Sequence, residues 1–99
     1  MISIFEFELL AERFFKAGTT EETLFTGLSS EVGELMSERV DELRVDKETP
    51  RDIDHRMAGE LCDILWYITM IAQQRGYTLS EIMSMTIDKL DDRERNGKS

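Results

Sequence analysis

Three times in this chain a serine or threonine is followed three positions later by glutamate: Ser3 with Glu6, Thr19 with Glu22, and Thr78 with Glu81. Each pair fits the capping box, in which the hydroxyl and the carboxylate satisfy backbone N–H groups left without partners at a helix start. Thr49-Pro50 marks a fourth start, since proline at the first helical position gives up an N–H that has no intrahelical acceptor anyway. Gly18 and Gly76 stand where a left-handed residue ends a helix. These signals predict helices over about 3–17, 20–44, 50–75 and 78–95, with one true loop from Val45 to Thr49. No strand pattern, repeat or low-complexity segment interrupts them. Short connections between four helices predict an all-α, four-helix bundle-like fold made by one unit over residues 1–99.

The third helix constrains the assembly as well. Ile53, Met57, Ala58, Leu61, Ile64, Leu65, Trp66, Tyr67, Ile68, Met70 and Ile71 nearly encircle it. A helix that is apolar on all sides has to be covered on all sides. A 99-residue monomer can hardly do that alone, so this helix is expected at the interface of a homo-oligomer. Cys62, alone in the chain, is expected to be buried among these residues as a small hydrophobe.

Charge narrows the partners. A formal net charge of −9 argues against nucleic acid and anionic membranes, both of which are polyanions. An anionic small molecule is still admissible, because a bound divalent cation reverses the local field. The longest apolar stretch, Ile64 to Ala72, is too short to span a bilayer, and the N-terminus lacks the basic region of a secretory signal. The expected location is the cytoplasm.

Acidic residues sit where apolar ones would serve packing better. On the second helix Glu31, Glu34 and Glu38 line one edge of the face formed by Leu24, Leu28, Val32, Leu35, Met36, Val40 and Leu43. Like charges at this spacing weaken an isolated helix by a few tenths of a kcal/mol per pair. On the third helix Glu60 and Asp63 share a side with Arg56 and Tyr67. Antiparallel packing of the two helices brings the pairs together, and carboxylates buried without compensation would take up protons. A hard divalent cation removes the conflict, and oxygen-only ligands favour magnesium, manganese or calcium. The bland alternative is that both pairs are solvated faces of acidic helices. A di-iron centre is excluded, because it needs Glu-x-x-His pairs and the one histidine, His55, is not three residues from any of these acids.

The fourth helix offers the opposite charge. Its apolar line through Leu79, Ile82, Met83, Thr86 and Leu90 continues into Lys89 and Arg93. They either neutralise the acids as salt bridges or clamp phosphate oxygens beyond a metal. Hydrolysis at a phosphoryl group fits the second option. The chain has no P-loop, and one histidine with one cysteine provides no nucleophile–base dyad of the familiar kinds.

Glu31-Val-Gly-Glu34-Leu, followed by Glu60-Leu-Cys-Asp63-Ile-Leu-Trp-Tyr67, resembles the E-x-x-E and E-x-x-D pattern of the MazG-like, all-alpha nucleotide pyrophosphohydrolases. The spacer, residues 35 to 59, has a length usual in that family, and the resemblance runs over about residues 24–95 to Lys89 and Arg93. It implies Mg²⁺-dependent hydrolysis of a (deoxy)nucleoside triphosphate to the monophosphate and pyrophosphate, with Mn²⁺ as a substitute metal. Glu31, Glu34, Glu60 and Asp63 would be the metal ligands. Water attacks the alpha-phosphorus in such enzymes, and a carboxylate of the Glu31–Glu34 pair would be the base. Glu31 is favoured, since a position toward the apolar face would raise its pKa if no metal sat directly on it. Glu38 reads as a further ligand or a supporting residue. Lys89, Arg93 and Thr86 would contact substrate, although Thr86 stands where family members often have asparagine. Phe14, Phe15 and Lys16 are candidates for the base pocket, with Phe7, Phe14 and Phe15 more economically read as core. Family members form dimers or dimers of dimers, and a single-unit chain suits nucleotide-pool cleaning. Two alternatives stand beside this reading: a dUTP- or dCTP-specific pyrophosphatase with the same acids, and a non-catalytic helical oligomer whose acids are structural.

Overall fold

A computed structural model describes residues 1–44 and 50–97. It contains four helices, α1 (Ile4–Glu12), α2 (Glu21–Leu43), α3 (Pro50–Gln74) and α4 (Leu79–Arg95), and no strand among the described residues. The all-α expectation holds. The expected loop from Val45 to Thr49, and the capping role of Thr49, lie outside the described residues.

The caps explain most boundaries. Ser3 and Glu6 exchange hydrogen bonds of 3.1 Å in a complete capping box, and Thr78 and Glu81 do the same at 3.1 and 2.8 Å. The α2 cap falls one residue later than expected. Thr20, not Thr19, accepts from the Thr23 backbone, and its hydroxyl meets the Thr23 hydroxyl at 2.9 Å. Thr19 is taken up instead by a turn in which its N–H bonds the Lys16 carbonyl, with Gly18 at φ 87° in the third position. A positive φ there is the mark of a type II turn and is why glycine serves. Gly76, at φ 85°, ends α3 in a Schellman motif: its N–H bonds the Gln73 carbonyl, and the Tyr77 N–H reaches back to Ala72 at 2.9 Å.

Helix α1 stops five residues short of the expected end. The N–H groups of Phe14 and Phe15 turn tightly onto the carbonyls of Ala11 and Glu12, and the Trp66 indole donates to the Ala11 carbonyl at 3.0 Å. This tight turn carries Phe15 to the core, where Leu24 (1% exposed), Met70 (0%) and Ala11 pack with Phe7, Trp66, Tyr67 and Ile71. Phe14 is left exposed, against its reading as core. Tertiary burial of one aromatic has overridden the continuing helical pattern.

Helices α2 and α3 form the long antiparallel pair of the structure. Helices α1 and α4 approach α3 and each other, and neither brings its backbone within 8 Å of α2 among the described residues. Helix α4 is held at its first turn, where Glu8 of α1 accepts from the Ser80 N–H at 2.7 Å and from the Ser80 hydroxyl at 3.1 Å. Its later turns, including Ile87 and Leu90, are exposed. The radius of gyration is 16.4 Å, against about 13 Å for a compact chain of this length. In a single chain the all-round apolar α3 is therefore not covered: Leu61, Leu65 and Ile68 are exposed, and so is Cys62, contrary to its expected burial. No helix among the described residues is long and apolar enough to cross a membrane.

Candidate metal centre

The α2–α3 seam is held in register by three contacts between the helices. At one end Arg75 donates from Nε and Nη2 to the two carboxylate oxygens of Glu21, at 2.6 and 2.8 Å. Next comes Tyr67, whose ring occupies the space a side chain at Gly27 would need. At the far end Arg56 Nε donates to Glu38 Oε2 at 2.7 Å. Position 27 lies opposite 67 and 38 opposite 56 on one antiparallel line, with 21 and 75 two residues off it. Between the last two contacts that line sets Glu31 opposite Asp63 and Glu34 opposite Glu60, and Glu31 also comes together with Glu60.

The expected convergence is therefore present for three acids. One carboxylate oxygen from each of Glu31, Glu60 and Asp63 lies within 4.8 Å of the others. Glu31 and Glu60 are half-buried and Asp63 is exposed. With both groups ionised, Glu31 Oε2 and Glu60 Oε2 are shut off from solvent with no hydrogen-bond donor beside them. A buried, unsatisfied carboxylate oxygen is costly, and a pair of them facing one another is costlier. Glu34 is exposed and stands outside the group of three, yet close enough to act on both buried glutamates.

The protonation of the cluster follows from this crowding. A proton shared with Glu31 pushes Glu60 up to about 7, helped by desolvation and by the carboxylate of Glu34. For Glu31 the proton held by Glu60 favours the charged form, but desolvation and the charges of Glu34 and Asp63 outweigh it, so its pKa is also raised. Without a cation, the cluster keeps a proton that solvent-exposed glutamates would lose. A hard divalent ion fits these donors: all are carboxylate oxygens, and two lack any other partner.

The basic residues are distributed differently. Lys16, Lys89 and Arg93 are exposed, and no ion pair or hydrogen bond joins them to the acids among the described residues. Thr86 turns its hydroxyl onto the Ile82 carbonyl at 2.7 Å, along its own helix. Glu38, read as a ligand or a supporting residue, is engaged by Arg56. Two features escaped the sequence reading. Gly27 sits four residues before Glu31 in mid-helix, where glycine is unfavourable by about 1 kcal/mol relative to alanine; that anomaly was the available signal for close packing. The Arg56–Glu38 pair becomes visible only once the helix register is known.

No match to the chain was found among curated proteins or among solved structures. A family model described as the MazG nucleotide pyrophosphohydrolase domain matches residues 19–97, which include all of α2, α3 and α4 and so both acidic pairs. The chain belongs to the MazG nucleotide pyrophosphohydrolase family.

Proposed function

We propose that this protein hydrolyses nucleoside triphosphates, ribo- or deoxyribo-, to the monophosphate and pyrophosphate, with Mg²⁺ held by Glu31, Glu34, Glu60 and Asp63. The observation that carries this reading is the pair of sealed, partnerless oxygens on Glu31 and Glu60 inside a three-carboxylate group. Purely structural acids would be solvated or ion-paired, as Glu21 and Glu38 are. Mn²⁺ meets the same ligand requirements.

When bound, magnesium neutralises charge on the phosphates. The chain's own residues do the rest. Water attacks the alpha-phosphorus, its oxygen bonding to phosphorus as the bond to the pyrophosphate oxygen breaks. The water proton passes to a carboxylate of the Glu31–Glu34 pair. Glu31 is the better placed of the two, because it is half-buried beside Glu60 and Asp63 whereas Glu34 is exposed. The pyrophosphate leaves as an anion, and the reaction suits removal of unwanted nucleotides from the pool.

The working form is a homodimer or a dimer of dimers. Phe25, Val32, Met36 and Leu43 on α2, with Leu61, Leu65 and Ile68 on α3, leave more apolar side chain in water than a small monomer usually shows. Among the described residues no hydrogen bond or ion pair joins Lys16, Thr86, Lys89 or Arg93 to the acids, so we assign their role as substrate contacts to that assembly.

Product analysis tests the reaction. Purified protein with Mg²⁺ and a panel of nucleoside triphosphates should release monophosphate and pyrophosphate, and Glu34→Gln should not. Diphosphate with orthophosphate would show that the wrong bond has been assigned, and the preferred nucleotide would separate a broad hydrolase from a dUTP- or dCTP-specific one.

A further inference from the structure

Helix α1 packs Phe7 and Ala11 into the core and turns a second face outward, formed by Phe5, Glu8, Leu9 and Glu12. Their spacing, i, i+3, i+4 and i+7, is that of one helical face. This face is one wall of a groove of about 340 Å³, and the end of α3 from Gln73 to Tyr77 is the other. Gln73 is ten residues past Asp63, about 15 Å along the helix, so the groove is separate from the carboxylate group. Phe5 is 68% exposed, Leu9 53% and Tyr77 43%, so three large, mainly apolar side chains meet water in one place. The groove is also negative. Glu8 and Glu12 line it, and no ion pair among the described residues holds either one. Both helices end there with no basic residue in the last turn, and a helix C-terminus carries about half a negative charge. Glu12, the last residue of α1, adds a full charge where the helix itself favours a cation.

We propose that this groove binds a basic, amphipathic segment of a partner protein, with an arginine or lysine entering between Phe5 and Tyr77 toward Glu8 and Glu12 and an apolar side chain covering Leu9. The proposal is independent of the pyrophosphohydrolase reading. Charge and apolar surface together select this occupant. An aromatic face attracts a cation and covers its alkyl stem, and the neighbouring carboxylates complete the match. Nucleic acid and anionic membranes are polyanions and are repelled. A second copy of the chain brings the same net charge of −9 and is repelled as well. A small polyamine would satisfy the acids and leave the apolar wall in water. Glu8 is set in place before binding, because Ser80 donates to its Oε1 from N–H and hydroxyl at 2.7 and 3.1 Å, which reduces the ordering a partner has to impose. Helix α1 also precedes residues 19–97, so one wall of the groove lies outside the domain shared with the family.

The probe is a labelled, alanine-based helical peptide with arginine and leucine three and four residues apart, titrated by fluorescence anisotropy. A matched peptide has glutamine in place of each arginine. Wild type should bind the arginine peptide and hold the glutamine peptide about tenfold more weakly or worse. F5A should weaken binding of the arginine peptide about fivefold or more, the effect of losing a central aromatic contact. E12K should weaken it about tenfold, by setting like charges against each other. E94K makes the same change in net charge in the last turn of α4 and should leave binding within about twofold of wild type. Phe5 and Glu12 are exposed and lysine suits the end of α1, so both variants should keep the fold, which circular dichroism checks. Should F5A not fold, E12K against E94K still decides. Equal weakening by E12K and E94K would show that only overall charge attracts the peptide, and the proposal is overturned. Equal affinity for the two peptides overturns it too, as does F5A binding like wild type or no binding by wild type up to about 1 mM peptide. If F5A or E12K instead changes the sedimentation of the protein alone, the groove is an interface between copies and the proposed partner is wrong.

Discussion

The ring of Tyr67 lies against the α2 backbone at Gly27, in the space that a β-carbon would occupy. A side chain at position 27 would meet the far end of that ring, one turn from Glu31 on one side and one turn from Asp63 on the other. Gly27→Ala sets two effects against each other. Alanine favours the helix by about 1 kcal/mol, and overpacking a close contact costs about 1–3 kcal/mol. The contact should prevail, so urea denaturation should find the variant less stable than wild type. An increase in stability would mean that the ring swings aside freely and does not set the helix spacing.

Acid titration gives a second, sharper expectation. In the folded chain Glu60 is raised from 4.5 to about 7, so between those values the folded state holds more protons than the unfolded one. Stability from this group is complete below the lower value and is lost as pH rises toward the upper. The melting temperature of the metal-free protein should therefore fall from pH 4.5 to pH 7, the reverse of what a salt-bridged carboxylate gives. Saturating Mg²⁺ should remove most of that fall, because the ion replaces the proton. A metal-free profile that rises over this range would rule out the shared proton.

Glu60→Gln should act in opposite directions with and without metal. At pH 7 and above it removes a charge from a crowded cluster, so the metal-free variant should melt at or above the wild-type temperature. Wild type should gain stability with each tenfold increase in Mg²⁺ beyond the dissociation constant, about 1.4 kcal/mol per decade for one site. The variant should show little or no gain. Equal responses from both proteins would mean that the ion binds elsewhere or not at all.

Met36 and Leu61 are exposed on a single chain, so replacing either by aspartate should change the stability of an isolated chain by no more than about 0.5 kcal/mol. In a homodimer joined through α2 and α3, either charge would be buried without a partner. Sedimentation velocity should show wild type as a dimer or larger and Leu61→Asp shifted toward monomer. A wild type that sediments as monomer at tens of micromolar removes the proposed assembly.

Helix starts, the Gly76 terminus and the acidic pairs were legible because each is a local signal: a cap is four residues long, and E-x-x-E is one turn. The early end of α1 was not, because it depends on Trp66, 55 residues away, donating to Ala11, and on Phe15 reaching the core. Placing Cys62 and Phe14 inside failed for a related reason. Helical periodicity identifies which residues are apolar, while the exposure of α3 depends on what else stands beside it, and in one chain too little does. Convergence of Glu31 with Glu60 and Asp63 followed from antiparallel packing alone. Engagement of Glu38 by Arg56 needed the register, which no single helix encodes.

The register contacts also determine where the chain can change length. Each added or deleted residue turns the following part of a helix by about 100° and shifts it by about 1.5 Å. Between Gly27 and Glu38, or between Arg56 and Tyr67, one such change would either turn a carboxylate away from the others or throw a flanking contact out of register. Beyond Glu38 and before Arg56 it would leave both flanking contacts and all three acids as they are. Insertions and deletions should therefore accumulate in that intervening stretch and stop sharply at its two ends, so a library of single-residue deletions scored for magnesium binding would trace the outline of the centre directly.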